Sequence, residues 1–80
     1  MNQSIQILDG YSFDAQKTAL HMQALCAGMM LNCYVTGVKE AQAEAFYQDN
    51  LFELEERLTE LLDEEDWNER GEVWLSASDI

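Results

Sequence analysis

The residues with chemistry to offer are carboxylates. Glu53, Glu56, Glu60, Asp63 and Glu64 recur every three or four positions and close on an adjacent pair. At about 100° per residue they share one face of an α-helix. Acids in pairs can run general acid–base chemistry, but only where their surroundings push their pKa values apart. Nothing flanking these five supplies such a setting. The stretch DEEDWNERGE carries acids and a glycine, yet its spacing is not that of a calcium-binding loop. What is left is a docking surface for a basic partner. Glu56–Glu60 and Glu60–Glu64 are like-charge pairs one turn apart, which cost an isolated helix a few tenths of a kcal/mol each. Asp63, Glu64, Glu65 and Asp66 also crowd the helix C-terminus, where the dipole disfavours anions. Arg57 alone can pair on that side. A helix selected only for stability would carry lysines there. The expected partner-binding residues are therefore Glu53, Glu56, Glu60, Asp63 and Glu64; the competing reading is a solvated face.

His21, Cys26 and Cys33 are the other reactive residues. Read on one helix, His21 and Cys26 sit on different faces, and no CxxC or HxxxH pair is present. Cys26 as a nucleophile would need a base beside it in a cleft. The two cysteines are seven positions apart, about 10 Å of helical rise, which is too far for a disulfide. They read as reduced core residues of a cytoplasmic protein. No glycine-rich phosphate loop or nucleophile elbow appears. The expectation is a non-enzyme with no catalytic residue, no metal and no cofactor.

These groups need a scaffold, and 80 residues make one small domain spanning 1–80. Net charge is −12, and it is lopsided. Residues 1–38 hold Asp9 and Asp14 against Lys17, while residues 39–80 hold fourteen acids against Lys39, Arg57 and Arg70. That balance excludes direct binding to nucleic acid or an anionic membrane. The first ten residues lack the basic and apolar regions of a signal peptide. Residues 18–38 carry no charge but include His21, Gln23, Asn32, Thr36 and two glycines, too polar a set for a membrane span.

The helix that carries the acids is organised by leucines. Leu51, Leu54, Leu58 and Leu61, with Leu62 beside them, form an apolar stripe opposite the carboxylates. Upstream, Val38, Ala41, Ala45 and Phe52 define a second apolar line about a quarter-turn away. The phase change predicts a break near Asp49-Asn50, with Asn50 and Glu53 placed like a capping box. Residues 15–34 are apolar or small almost throughout and predict a central helix, N-capped by Asp14 with Phe13 packing back on it. Ser4–Leu8 and Glu72–Ala77 have strand composition and are expected to pair. Asp9-Gly10 reads as a turn, after which Tyr11–Phe13 returns as a second strand or leads into the helix. Residues 68–71 read as another turn.

The predicted fold is α+β but mostly helical: a helical hairpin with a kinked second arm and short N- and C-terminal strands. A homodimer through the first helix is expected, because one partner helix cannot cover its apolar surface. The composition of the acidic half is similar to that of small phage-encoded acidic inhibitors, DNA mimics included. That likeness implies a basic protein surface as partner, such as one that normally holds nucleic acid. Carboxylates a turn apart, about 5.4 Å, match the order of phosphate spacing along one strand, though duplex DNA carries a charge per ~1.7 Å of axis. The alternative is a structural or assembly protein that oligomerises through its apolar helices, its acids serving solubility only.

Overall fold

The computed structural model describes residues 4–80; residues 1–3, which the sequence reading places in the same domain, lie outside them. The fold is α+β, but its centre is a five-stranded mixed sheet rather than a helical hairpin. In chain order the elements are β1 (Ile5–Ile7), β2 (Ser12–Asp14), β3 (Ala19–Cys26), β4 (Met29–Thr36), a 3-10 turn (Glu40–Gln42), α1 (Ala43–Asp49), α2 (Leu51–Asp63) and β5 (Glu72–Ser76), closed by a second 3-10 turn at Ala77–Asp79.

The largest correction concerns residues 15–34. They form no helix. Most of the segment is a β-hairpin, with Ala19 opposite Thr36 and Cys26 opposite Met29. Ala27 and Gly28 both hold positive φ, 53° and 82°, which is the two-residue turn whose twist suits a hairpin. Along β3, Leu20, Met22, Ala24 and Cys26 line the helix-covered face, and along β4 Leu31, Cys33 and Val35 do; Ala19 and Tyr34, on the other face, are buried as well. The helix-covered set has a period of two, not 3.6. Asp14 does act as a cap: its Oδ1 accepts from the backbone N–H groups of Gln16 and Lys17 at 3.0 Å each. What it caps is the four-residue loop between β2 and β3, not a helix.

Asp9-Gly10 does not reverse the chain. β1 and β2 both run antiparallel to the same edge of β3. The Leu8 N–H donates to the Gln23 carbonyl at 2.9 Å, and Ser12 already pairs with His21. Asp9, Gly10 and Tyr11 therefore stand opposite Met22 alone, as a bulge of three residues against one. Gly10, at φ 98°, allows the excursion. On the far side of the sheet β5 pairs with β4 and runs parallel to it. The expected pairing of β5 with Ser4–Leu8 is thus not made, because β3 and β4 lie between them. A parallel neighbour requires a crossover, and α1 and α2 provide it.

The break between the two helices is present at Asn50 (φ −122°, ψ 20°). Its chemistry differs from a capping box. The Asn50 amide Nδ2 donates back to the Phe46 carbonyl at 2.9 Å, closing the end of α1. The buried line of α1 is Ala43 and Tyr47 with Phe46 beside it; Ala41 and Ala45 are exposed, and Phe52 is 85% exposed. In α2 the centre of the stripe is Leu54, Leu58 and Leu62, each fully buried, with Leu51 and Leu61 half-buried at its flanks. These leucines pack on the sheet, among Leu20, Met22, Leu31, Cys33, Val35 and Val73. α2 ends with Glu65 at φ 58°, where Glu65 N donates to the Leu62 carbonyl and Asp66 N to that of Leu61. This paired closure normally takes a glycine.

Cys26 and Cys33 lie on adjacent strands, four positions apart in register, since Cys33 faces Met22. At about 3.3 Å per residue they are too far apart to bridge, for a different reason than helical rise. Among the described residues no polar or charged residue is buried. Among the described residues no helix is long and apolar enough to cross a membrane.

Candidate functional site: the open face of the sheet

Helices cover one face of the sheet. On the other face the strands present His21, Gln23 and Leu25 from β3, Met30, Asn32, Tyr34 and Thr36 from β4, and Glu72, Trp74 and Ser76 from β5. The register aligns them in transverse rows. His21, Tyr34 and Trp74 form one row. The His21 and Tyr34 rings stack with centroids 5.1 Å apart, and those of Tyr34 and Trp74 stack at 4.8 Å. Such offset pairs add to burial alone. Tyr34, in the middle, is 8% exposed; Trp74, on the edge strand, is 43% exposed.

Polar groups fix this row at both ends. His21 Nε2 lies 2.9 Å from Asn32 Oδ1. Its Nδ1 lies 3.2 Å from Ser12 Oγ. Gln23 Nε2 also reaches Asn32 Oδ1, at 3.4 Å. At the other end the Trp74 indole N–H donates to Glu72 Oε1 at 3.3 Å, and Asn68 Nδ2 donates to the same oxygen at 3.0 Å. The bond from Asn68 is the main reason that the Glu72 carboxyl is held below its usual range. Asn68 is itself fixed: its Oδ1 accepts from the backbone N–H groups of Arg70 and Glu72. The predicted turn at 68–71 is therefore the mount for Glu72.

One cation already rests on the row. Lys17 Nζ sits 5.0 Å from the centre of the Tyr34 ring and 3.7 Å from Asp14 Oδ2. The backbone N–H of Lys17, ahead of its charge, lowers the Asp14 pKa. Next to His21 the bulge leaves an open cavity of about 350 Å³, lined by Gly10, Tyr11, Ser12 and Gln23 among others.

The sequence-predicted site lies elsewhere. Glu53, Glu56, Glu60, Asp63 and Glu64 are all exposed on α2. Arg57 pairs with Glu60. Because α2 covers the inner face of the sheet, its acidic side and the aromatic row point to opposite sides of the molecule. Trp67 is half-buried against the core, whereas Trp74 faces out. His21 is on the open face and the cysteines on the inner one. Among the described residues no three His, Cys, Asp or Glu side chains converge as a metal set. Sequence reasoning missed Tyr34 altogether. The available signal was the alternation of His21 and Gln23 with Met22 and Ala24, continued by Asn32 and Thr36 between Leu31, Cys33 and Val35.

No family model matches the chain. Over 84 aligned residues it is 32% identical to the Escherichia coli K12 protein YrdB, a match covering 94% of this chain and 99% of that protein, and equally to YrdB of Shigella flexneri. A crystal structure of a DUF1488-family protein of unknown function from Shewanella loihica PV-4 shares the fold with a TM-score of 0.78 at 26% identity, covering 94% of each chain.

Proposed function

This chain belongs to the same family as the Escherichia coli protein YrdB, and we propose that it is a non-enzymatic binding module for a basic protein surface, which docks on the open face of the sheet. The uncovered aromatic row carries this reading. A sheet face that meets only water is commonly polar, and an exposed tryptophan anchored by a hydrogen bond is a common centre of protein interfaces. The sign of the partner follows from the −12 net charge, which repels nucleic acid and a second copy of the chain alike. The acids of α2 lie too far round the molecule to touch the same surface. Their role is to attract a basic partner at a distance.

The helix-mediated assembly alternative has less to work with. Leu54, Leu58 and Leu62 are buried on the sheet, and the first helix on which a dimer would form is a hairpin instead.

The test is retention of proteins from the native host on the immobilised chain at low and high salt. The reading requires a basic protein that is held by wild type and lost by Trp74→Ala. Equal retention by that variant would remove the sheet face as the docking surface. Retention that ignores salt would remove the charge argument, since exposed charges are screened within ~8–10 Å.

A further inference from the structure

We infer that the end of the aromatic row on β5 is an arginine-reading site: a guanidinium from an extended segment of the partner stacks on Trp74 and ion-pairs with Glu72. This rests on the reading of the open face as the docking surface for a basic partner, and adds which side chain is recognised.

Three observations lead there. Glu72 and Trp74 are two apart on one strand, so both point out of the same face, and the indole N–H is tied to the carboxylate. A flat ring and a carboxylate in fixed relation match a guanidinium, which stacks through its plane and donates through its rim. The carboxylate is also prepared. Asn68 and Trp74 both bind Oε1, leaving Oε2 for an incoming donor, and among the described residues Glu72 makes no ion pair. Finally, the row already holds a cation. Lys17 lies over Tyr34, so the row attracts a long basic side chain. Tyr34 bridges Lys17 and Trp74; among the described residues no cation lies over the exposed ring at the β5 end, although Arg70 and Lys17 are near enough to help lower the Glu72 pKa.

Arginine rather than lysine follows from shape. An ammonium is a compact, strongly hydrated charge, whereas guanidinium is planar and weakly hydrated. Stacking on an exposed indole therefore favours arginine. With the adjacent carboxylate, a preference of about tenfold is expected.

The experiment uses the full chain labelled with ¹⁵N and three peptides of one length, in which serine alternates with arginine, lysine or glutamine. The indole N–H signals of Trp67 and Trp74 are assigned with Trp67→Phe and followed through each titration at low salt. The arginine peptide should shift the Trp74 signal and bind about tenfold more tightly than the lysine peptide. Glu72→Gln should weaken it several-fold, and Trp74→Ala should abolish the preference while the amide spectrum confirms the fold. Equal binding of the arginine and lysine peptides to wild type, or an unchanged preference in Trp74→Ala, would overturn the arginine site while leaving a basic-partner module intact. Failure of both basic peptides to bind would overturn the module reading as well.

Discussion

The hydroxyl of Tyr47 accepts a hydrogen bond from the backbone N–H of Gly10 at 2.9 Å. It ties the bulge of the edge strand to α1, and the Tyr47 ring lies 4.7 Å from that of Tyr11. Tyr47→Phe keeps the ring and removes the acceptor. It is expected to cost about 0.5–1.5 kcal/mol, the usual net value of one such bond. Hydrogen exchange at the Gly10 amide should quicken as well. An unchanged urea midpoint with unchanged exchange would mean that other contacts hold the bulge.

Leu58 is fully buried between α2 and the sheet. Leu58→Ala should destabilise the fold by about 2–5 kcal/mol, as truncations leaving a cavity do. Urea unfolding measures this directly. A loss under ~1 kcal/mol would contradict the packing described.

Ala27 holds φ 53° in the turn between β3 and β4, a region costly for any residue with a Cβ but tolerated by asparagine. Ala27→Asn creates the Asn-Gly pair favoured by this turn. A gain of about 0.5–1 kcal/mol is expected, read as a higher melting temperature. A lower one would show that the alanine methyl makes a contact the turn needs.

That turn also explains what the sequence could show. α2, its leucines and its acids were legible because one face is buried and the other is charged. The break at Asn50 was legible from the phase change. The strand at 72–76 was legible from Val73, Trp74 and Leu75 beside Gly71. The hairpin was not. Its open face carries Ala19, Leu25, Met30 and Tyr34, so both faces of β3 and β4 read as apolar and the alternation is blurred. Ala, Leu, Met and Gln are helix formers, while Val35 and Thr36 are the only β-branched residues in the two strands. Ala-Gly is a weak turn signal beside Asn-Gly. Pairing with β5, supplied from far along the chain, overrides local preference. The acidic side was found by spacing alone; the aromatic row needs the strand register to exist.

Burial raises the Cys33 thiol to about 12. The native protein should therefore leave Cys33 unmodified by an alkylating reagent at pH 8, with reaction appearing on adding denaturant. The linkage has a sign. Above the ordinary value of 9.0 the unfolded chain releases a proton that the folded chain keeps, so this thiol makes stability fall as pH rises from there towards 12. Fast native alkylation of Cys33 would place it outside the core.

Glu56→Gln with Glu60→Gln removes two charges from α2 and the Glu60 partner of Arg57. Exposed ion pairs contribute little, and the repulsion relieved is of similar size, so the melting temperature should hold or rise slightly. Affinity for a basic partner should fall through a slower association rate, with dissociation unchanged. Trp74→Ala should do the reverse. A double variant that changes only dissociation would place the acids inside the interface.

The parallel pairing of β4 with β5 also fixes an order of events in folding. β2, β3 and β4 follow one another along the chain and can pair through short loops, whereas β5 can dock only after the whole crossover has collapsed onto the sheet. Tyr34 and Trp74 belong to opposite sides of that delay. Until β5 arrives, the outer edge of β4 is unpaired and open to strands from other chains. The slow step in refolding should therefore be the one that brings Trp74 onto Tyr34, and aggregation should be confined to the interval before it.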